Sequence, residues 1–163
     1  MLKMESLKIT PTHDYKTLAR LNAPLQNLHA QLYPKVFKSH NLEATERELE
    51  QFLSQYHWFA FMATWNEEAI GYLLCFIQQR SETAFRFAQK NLYIDQIYVQ
   101  ESFRRKQVGR KLMDSAIELA RKEGIQSLQL NHWNLNEEAG RSFEKMGFHY
   151  YNRAMQMDLP LEV

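Results

Sequence analysis

The sequence predicts a single mixed α/β domain that spans residues 1–163. Short runs with alternating apolar residues, typical of strands, are interspersed with longer runs whose apolar residues recur every three or four positions, typical of helices. The chain is also long enough to form one hydrophobic core, and it contains no internal repeat or low-complexity segment. The predicted order of elements is β-α-α-β-β-β-α-β-α-β.

The first three predicted elements are a strand and two helices. The strand covers Leu7 to Thr10 and ends at Pro11, with Thr12 as the predicted N-cap of the first helix. Because proline removes a hydrogen-bond donor and clashes with the preceding turn, Pro24 predicts a kink or a division into two helical pieces. The second helix is expected to begin after Asn41. The buried face of the first helix is predicted from leucines at helical spacing: Leu18, Leu21, Leu25, Leu28 and Leu32.

A β-hairpin is predicted next. Residues Trp58 to Trp65 and Ile70 to Ile77 are rich in aromatic and branched side chains, and they flank a polar turn at residues 66–68. The polar segment that follows, Gln78 to Asn91, leaves two alternatives open. It either extends the hairpin or forms a mobile loop beside a functional site.

The second half begins with a strand, Leu92 to Val99, followed by a basic loop and a helix that ends at Gly124. Because a helix connects them, this strand and the next one, Ile125 to Trp133, are expected to lie parallel. A short helix from Asn136 to Met146 and a last strand from Phe148 to Leu159 follow. The buried stripe of the long helix is predicted to consist of Val108, Leu112, Ala116, Leu119 and Ala120.

Composition argues against several functional classes. The 20 basic and 19 acidic residues give a net charge of +1, so the chain lacks the overall positive charge that drives nucleic-acid binding. No apolar run approaches the roughly 20 residues that span a bilayer, and the N-terminus lacks the apolar core of a signal peptide. A soluble cytoplasmic protein without a nucleic-acid or membrane partner is therefore expected. The single cysteine, Cys75, is interpreted as a core residue, and no histidine spacing indicates a metal site.

The stretch from Asp95 to Leu112 carries the strongest functional signal. It combines the end of a strand, a loop with basic residues around a glycine, and the start of an amphipathic helix. Backbone N–H groups and the positive end of the helix dipole make such a loop suitable for a phosphate or pyrophosphate. The alternatives for its basic residues are a solvated surface and a nucleic-acid patch. These basic residues are Arg104, Arg105, Lys106, Arg110 and Lys111.

Asp95 lies on the strand before this loop. Strict alternation divides the strand into two faces. One face holds Tyr93, Asp95, Ile97 and Val99, and the other holds Ile94, Gln96 and Tyr98. Asp95 is then the one acid among apolar and aromatic neighbours.

The second half of the chain resembles the GNAT superfamily of acyl-CoA-dependent N-acetyltransferases. Arg104 to Gly109 fall on the family's loop signature, which is Gln or Arg, two variable residues, Gly, one variable residue, then Gly or Ala. A second signature matches downstream at Trp133, Asn136, Ala139, Phe143-Glu144-Lys145 and Gly147-Phe148. The first half agrees only in element order. The resemblance implies a central, mostly antiparallel twisted sheet with a parallel pair at the acyl-CoA site and helices on both faces.

Acetyl-CoA is the co-substrate that the resemblance implies. Backbone N–H groups among Ile97, Tyr98 and Val99 would polarise its thioester carbonyl. Asn136 corresponds to an asparagine that contacts the cofactor in the family, and its alternative role is a helix N-cap. The basic loop would hold the phosphates through Arg104, Arg105, Lys106, Gln107, Val108, Gly109 and Arg110.

Two residues depart from the family pattern. Gln107 stands where the family usually has a glycine, at a position where the backbone approaches the pyrophosphate. Phe143 stands where many members have a tyrosine that protonates the departing thiolate of CoA. These departures bear on cofactor affinity and on the last proton transfer of the reaction.

By position, Asp95 resembles the acidic residue with which spermidine/spermine acetyltransferases and their relatives contact the substrate amine. It is interpreted either as a catalytic residue that attracts the ammonium group and accepts its proton, or as a structural carboxylate that pairs with an arginine or caps a turn. Tyr33 and Tyr93 are predicted substrate-binding residues.

The implied reaction is direct transfer of an acetyl group to a primary amine of a small molecule or peptide, in a ternary complex and without a metal. The identity of the amine is left open, and a homodimer is one option. The alternative is a non-catalytic acyl-CoA-binding module, in which Gln107 and Phe143 mark a decayed active site.

Overall fold

The computed structural model describes residues 6–160, so the ends of the predicted domain and the first residues of the N-terminal stretch lie outside the described part. A short 3-10 helix at Glu101–Phe103 follows the fourth strand. The strands are β1 (Leu7–Pro11), β2 (Trp58–Trp65), β3 (Glu68–Arg80), β4 (Gln89–Val99) and β5 (Leu128–Leu130). The α-helices are α1 (Tyr15–Leu32), α2 (Leu42–Leu53), α3 (Val108–Lys122) and α4 (Glu137–Lys145).

These elements belong to two compact units. The first unit extends to Asn131 and contains the sheet with α1, α2 and α3, whereas the second begins at His132 and contains α4. The predicted last strand, Phe148 to Leu159, is wrong, because the described residues of that segment join no strand ladder. An alternating pattern creates a strand only when a neighbouring strand satisfies its backbone groups.

The sheet has the strand order β1-β2-β3-β4-β5. Its first three neighbouring pairs are antiparallel, and the β4–β5 pair is parallel, as the connecting helix predicted. The β2–β3 hairpin is confirmed, and Asn66 and Glu67 at its turn have positive φ values of 48° and 73°. Positive φ at both central residues of a turn matches the right-handed twist of the flanking strands.

The segment from Gln78 to Asn91 combines the two alternatives that the sequence left open. Its first residues extend β3 to Arg80, and its last residues begin β4 at Gln89. Residues 81–88 form the loop between the two strands, on which Phe85 and Phe87 are exposed.

Helices cover both faces of the sheet, as predicted. Leu73 lies between Tyr72 and Leu74 on β3 and points to the face opposite to theirs, because side chains alternate along a strand. Helix α3 contacts β1 to β4, and its buried residues lie outside the cluster formed with α1 and α2. The α1–α2 face is packed by Leu18, Ala19, Leu21, Leu49, Leu53, Ala60, Met62, Tyr72, Leu74 and Tyr98.

Helix α1 differs from its prediction at two points. It runs without a break through Pro24, so the predicted division into two pieces is wrong. Burial of the surrounding helical face, including Leu18 and Leu21, outweighs the hydrogen bond that the proline removes. The N-cap is Asp14, whose Oδ1 accepts a hydrogen bond from the Thr17 N–H at 3.0 Å, rather than Thr12.

Helix α3 ends in a Schellman motif. Gly124 has a φ of +65°, its N–H donates to the Arg121 carbonyl, and the Ile125 N–H donates to the Ala120 carbonyl. Ile125 thereby belongs to the helix end, and β5 begins only at Leu128, three residues later than predicted. On the buried stripe of α3, Met113 is buried and Leu119 is only half-buried.

Glycine at position 71 permits the close approach of β3 and β4. A Cβ atom added there would lie 2.6 Å from the Tyr98 carbonyl oxygen and 3.3 Å from the Val99 Cα atom. Both are backbone atoms, so neither can move aside as a flexible side chain would. The substitution would therefore push apart the two strands at the end of β4.

We expect Gly71→Ala to lower the free energy of unfolding by up to about 3 kcal/mol, because the added methyl group displaces backbone. Gly124→Ala is the matched control, since nothing lies within 4 Å of its added Cβ and only its positive φ opposes alanine. That conformational cost is about 1–2 kcal/mol. Urea unfolding followed by circular dichroism compares the variants. A smaller loss for Gly71→Ala than for Gly124→Ala would contradict the close packing of β3 on β4.

Candidate active site at the β4–α3 junction

A β-bulge interrupts the β3–β4 ladder at Asp95. Leu74 pairs with Gln96 and Cys75 pairs with Ile94, which leaves Asp95 without a partner on β3. The extra residue shifts the alternation of side chains by one position. The predicted division of β4 into two strictly alternating faces is therefore wrong.

The corrected faces follow from the cross-strand pairs, whose side chains lie on the same side of the sheet. Tyr98 pairs with Tyr72, Gln96 with Leu74 and Tyr93 with Phe76, so these residues of β4 share the α1–α2 face. Ile97 and Val99 share the opposite face with Ile94. Because of the bulge, Tyr93 lies on the same face as Gln96, whereas strict alternation had placed it on the face of Ile97.

An aromatic row crosses the α1–α2 face beside the bulge. The ring centroids of Tyr93 and Phe76 are 5.1 Å apart, those of Phe76 and Trp58 are 4.5 Å apart, and those of Trp58 and Phe52 are 4.2 Å apart. The last pair is stacked with an interplanar angle of 2°. Tyr93 is half-buried at the β4 end of the row, two positions before Asp95 in the chain.

Tyr33 lies at the C-terminal end of α1, where it is the C-cap residue. Its ring makes an edge contact with Phe37 at a centroid distance of 6.4 Å, and the Phe37 ring also contacts His29 at 4.9 Å. The two predicted substrate-binding tyrosines are therefore anchored by different aromatic neighbours.

The last part of β4 extends beyond its parallel neighbour. Pairing with β5 covers Leu92, Tyr93 and Ile94, and residues 95–99 continue past the last pair. The Gln100 N–H donates to the Ile70 carbonyl on β3. Because N–H groups alternate sides along a strand, those of Ile97 and Val99 face the β5 side, whereas that of Tyr98 faces β3. This geometry favours Ile97 and Val99 as the polarising N–H groups.

The basic loop between β4 and α3 contains two residues in the left-handed region. Arg105 has a φ of 61° and Gln107 a φ of 64°. Gln107 occupies the signature position that usually holds glycine, and its backbone conformation is one that glycine adopts without strain. Gln107 therefore keeps this left-handed conformation at a cost in conformational energy that glycine would not incur.

The N-terminus of α3 lacks a side-chain cap. Gln107 is its N-cap residue but makes no capping hydrogen bond, and the first turn contains no acidic residue. The other three α-helices of the described chain are capped by Asp14, Asn41 and Asn136. The N–H groups of the first turn and the positive end of the helix dipole therefore face the loop without a neutralising side chain.

The basic side chains of the loop are exposed and differ in their contacts. The Arg104 Nε donates to the Val99 carbonyl at 3.2 Å, which ties the loop to the end of β4. The Lys106 ammonium lies 5.2 Å from the centroid of the Phe103 ring, within cation–π range. Arg110 forms an exposed ion pair with Asp114 at 3.4 Å.

Asp95 keeps contact with solvent, and its hydrogen-bond partner is Gln96, whose Nε2 donates to Oδ2 at 3.2 Å. Desolvation by the surrounding protein raises the pKa of the Asp95 carboxyl above its ordinary 3.8, and the negative charge of Glu48 on α2 raises it further. The hydrogen bond from Gln96 lowers it in part. Asp95 is therefore a stronger base than a typical aspartate.

Cys75, which pairs with Ile94 next to the bulge, is fully buried. Burial raises the pKa of its thiol to about 12, and the charge of Asp95 adds to the effect. The residue is a neutral thiol near neutral pH and is therefore no nucleophile, in agreement with its interpretation as a core residue.

Asn136 and Phe143 lie in the second unit and have structural contacts there. The Asn136 Oδ1 caps α4 by accepting from the Ala139 N–H at 3.4 Å, which confirms the N-cap role. The Phe143 and Phe148 rings make an edge contact at 5.9 Å, and the Phe148 N–H donates to the Phe143 carbonyl. This is the apolar contact that accompanies a Schellman motif, here around Gly147.

The structure identifies a polar network that the sequence did not predict. Asn22 of α1 and Tyr72 of β3 are buried, and both hydrogen-bond to the Gln96 side chain. Asn22 follows Leu21 on the buried face of α1, and a polar residue at such a position could have signalled a buried partner.

Two further findings concern the described residues alone. Between residues 6 and 160, no group of three or more histidine, cysteine, aspartate or glutamate residues could hold a metal ion. No α-helix in this range is long and apolar enough to cross a membrane.

The strand–loop–helix geometry is typical of α/β proteins that bind a phosphorylated ligand at a helix N-terminus. The model of the acetyltransferase (GNAT) family matches residues 22–148, which is most of the chain. The chain therefore belongs to the GNAT acetyltransferase family.

Solved structures with the same fold agree with this assignment. A tetramutant of the BH1408 protein from Bacillus halodurans superposes with a TM-score of 0.85 at 18% identity, over 94% of this chain and 99% of that one. The aminoglycoside N-acetyltransferase AAC(6')-Iy in complex with CoA has a TM-score of 0.72 at 19% identity, over 98% of both chains. The aminoglycoside acetyltransferase meta-AAC0020 from an uncultured soil metagenomic sample, in complex with sisomicin, has a TM-score of 0.66 at 16% identity, over 96% and 97%. At these identities the comparison establishes the fold.

We expect Gln107→Gly to raise the free energy of unfolding by up to about 1.5 kcal/mol. Removing a left-handed non-glycine residue gains about 1–2 kcal/mol, and the greater chain entropy of unfolded glycine offsets about 0.5–1 kcal/mol. Lys106→Gly is the matched control, because Lys106 has no positive φ and should lose about 0.5–1 kcal/mol. Urea titrations of both variants measure the difference. A loss of stability for Gln107→Gly equal to that of Lys106→Gly would contradict strain at Gln107.

Proposed function

We propose that the protein transfers an acetyl group from acetyl-CoA to a primary amine of a small molecule or peptide, directly and in a ternary complex. The observation that carries the proposal is the junction of β4 and α3. There an uncapped helix N-terminus, an open strand edge and a carboxylate of raised pKa lie along one continuous stretch, from Asp95 to Arg110. These are the three kinds of group that an acyl-CoA-dependent acetyl transfer requires.

In the proposed complex, the phosphates of acetyl-CoA bind at the basic loop. First-turn N–H groups of α3 would hold the pyrophosphate, and Arg104, Arg105 and Lys106 would add positive charge. The CoA complex of AAC(6')-Iy, a family relative in fold, supports acetyl-CoA as the co-substrate. Asn136 and Phe143 remain proposed contacts of the cofactor, in addition to their structural roles.

The proposed acceptor is a cationic amine. Asp95 and the aromatic row that ends at Tyr93 offer negative charge and aromatic faces, both of which favour an ammonium group. Two structures of similar fold support this chemistry, since one contains the aminoglycoside sisomicin and another a bisubstrate analogue, CoA-S-monomethyl-acetylneamine. Tyr33 is proposed to line the same acceptor side.

The proposed reaction begins when Asp95 accepts a proton from the ammonium group, directly or through water. The neutral nitrogen then attacks the thioester carbon, and the Ile97 and Val99 N–H groups stabilise the negative charge that develops on the carbonyl oxygen. Collapse of this intermediate restores the carbonyl, breaks the carbon–sulfur bond and releases CoA as a thiolate, and the nitrogen, which became positively charged in the attack, loses its second proton to water to give the neutral amide.

Phe143 has no proton to donate to that thiolate, but the resulting increase in the activation free energy is small. An ordinary thiol has a pKa near ~8.5, so expelling the unprotonated thiolate at pH 7 costs on the order of 2 kcal/mol. Water can supply the proton after departure. We therefore propose that Phe143 slows the reaction without preventing it.

The second candidate function is a non-catalytic acyl-CoA-binding module. Strained Gln107 and the absence of a tyrosine hydroxyl at Phe143 are the observations that favour it. Under either function we propose that residues 1–163 form one domain that works in the cytoplasm, without a nucleic-acid or membrane partner.

The wild-type protein is expected to release CoA thiol from acetyl-CoA when a primary amine is present. A thiol-reactive dye measures the release across a panel of polyamines, aminoglycosides and peptide N-termini, and calorimetry measures CoA binding in parallel. Amine-dependent thiol release distinguishes the enzyme from the binding module. CoA binding without thiol release for any amine would exclude the transferase function and leave the binding module.

Asp95→Asn is expected to reduce kcat by about 10²-fold or more while leaving the affinity for CoA unchanged, because the variant lacks the proton acceptor. The same substitution should leave the free energy of unfolding at pH 7 equal or higher. The raised pKa means that the native state binds this proton more tightly than the unfolded chain does. In the wild-type protein, ionisation of Asp95 therefore lowers the free energy of unfolding. This loss grows as the pH rises from the ordinary aspartate pKa of 3.8 through the native pKa of Asp95, and it is complete above the native pKa.

Steady-state kinetics and urea unfolding at pH 7 provide the two measurements for Asp95→Asn. Unchanged kcat in a folded variant would assign Asp95 a structural role. A large loss of stability together with the loss of activity would likewise contradict the proposed base.

A further inference from the structure

A chain of hydrogen bonds connects the core to Asp95. The Asn22 Nδ2 donates to the Tyr72 Oη at 3.0 Å and to the Gln96 Oε1 at 3.1 Å. The Tyr72 hydroxyl donates to the same Gln96 Oε1 at 2.6 Å. The Gln96 Nε2 then donates to the Asp95 Oδ2 at 3.2 Å.

The direction of this chain is the one that satisfies every group in it, because the ionised Asp95 carboxylate can only accept. Asn22 can only donate through its Nδ2, and the Tyr72 hydroxyl, which accepts that bond, has its proton left for Gln96. Two donors therefore converge on one end of the Gln96 amide, which must be the oxygen. The NH2 end is left to face Asp95, and a flipped amide would oppose donor to donor at Asn22 and acceptor to acceptor at Asp95.

Burial makes this arrangement costly to disrupt. Tyr72 is 0% exposed and Asn22 is 4% exposed, so neither can exchange its partner for bulk water. A buried donor without an acceptor carries the full desolvation penalty of its polar group. The buried hydrogen bonds from Asn22 and Tyr72 accordingly resist rotation of the Gln96 amide away from the Asp95 carboxylate.

The bulge explains why the chain ends at this carboxylate. Gln96 lies on the α1–α2 face, where Asn22 and Tyr72 can reach it, and Asp95 is the unpaired bulge residue next to it. A donated hydrogen bond occupies Oδ2 and leaves Oδ1 for another partner. It also favours the ionised carboxylate, which is the form that can accept a proton.

We propose that Gln96, oriented by Tyr72 and Asn22, is the positioning residue that holds the Asp95 carboxylate ionised and directs its free oxygen toward the acceptor amine. This inference rests on the proposed function only for the role of Asp95 as base. The orientation of the carboxylate and its ionisation can be measured without turnover.

Other groups also act on Asp95. Glu48 of α2 repels its negative charge, whereas Tyr72 and Cys75 of β3 are the titratable groups that Asp95 influences from the adjacent strand. Burial holds both β3 groups protonated and uncharged near neutral pH. Among these groups, Glu48 is therefore the one whose negative charge repels the Asp95 carboxylate. Gln96 counteracts that repulsion.

Gln96→Glu is the most selective test. Its carboxylate can still accept from Asn22 and Tyr72, which preserves the buried bonds, but it replaces the donor to Asp95 by a second negative charge. Tyr72→Phe removes one of the two donors that orient Gln96 and keeps the ring. Tyr15→Phe is the matched control, because Tyr15 packs against the same core cluster and its hydroxyl interacts with Glu50 instead of the network.

Two readouts are needed. The acid limb of the pH profile of kcat/KM is expected to move to higher pH in Gln96→Glu and, by a smaller amount, in Tyr72→Phe. At pH 7, kcat should fall about tenfold in Gln96→Glu because the base is misplaced and partly protonated, with KM for acetyl-CoA unchanged. Tyr15→Phe should retain the wild-type profile.

Carboxyl carbon NMR of Asp95 provides the second readout. Its titration should shift to higher pH in Gln96→Glu and Tyr72→Phe, and not in Tyr15→Phe, whether or not the protein is active. An unchanged titration in both network variants would overturn the positioning role. If the wild-type protein transfers no acetyl group while Gln96→Glu and Tyr72→Phe show these titration shifts, the proposed function is refuted and the Asp95–Gln96 coupling is retained.

Discussion

Near the middle of the sheet, the ladder between β3 and β4 slips by one residue at Asp95. The slip moves Tyr93 to the same face as Gln96 and Tyr98 and leaves Asp95 without a paired residue on β3. On the other side of β4, pairing with β5 ends one residue earlier, at Ile94. The register slip and the end of the β5 pairing lie next to each other in β4. The Asp95 carboxylate and the open edge of β4 therefore belong to the same short segment.

Much of the fold could be predicted from the sequence because hydrophobic period and turn residues act locally. The β2–β3 hairpin, the start of α2 after Asn41 and the parallel β4–β5 pair were confirmed. The parts of the fold that were predicted wrongly depend on contacts between residues far apart in the chain. Tertiary packing kept α1 continuous through Pro24, and the segment from Phe148 to Leu159 acquired no strand partner among the described residues.

The candidate site was predictable in its chemistry and not in its geometry. The spacing around Gly109 indicated an anion-binding loop, and Asp95 was noticeable as a single acid on an apolar strand. A bulge has no reliable sequence signal, so the predicted faces of β4 were wrong. The network of Asn22, Tyr72 and Gln96 joins residues far apart in the chain, which no local pattern reveals.

Several features at this end of the sheet cost stability. Gln107 adopts a left-handed conformation, the α3 N-terminus has no side-chain cap, and the Asp95 carboxylate is partly desolvated near Glu48. The other α-helix N-termini of residues 6–160 are capped, and the buried hydrogen bonds of Asn22 and Tyr72 are satisfied. Local departures from favourable geometry that are concentrated at one place are typical of functional sites.

The central claim is that the β4–α3 junction is where CoA binds. Backbone amide NMR of the 15N-labelled protein, titrated with CoA, tests it residue by residue. If CoA binds there, the largest shifts are expected at the amides of Arg105 to Arg110 and of Ile97 and Val99. Binding that shifts amides elsewhere and leaves these residues unchanged would contradict it.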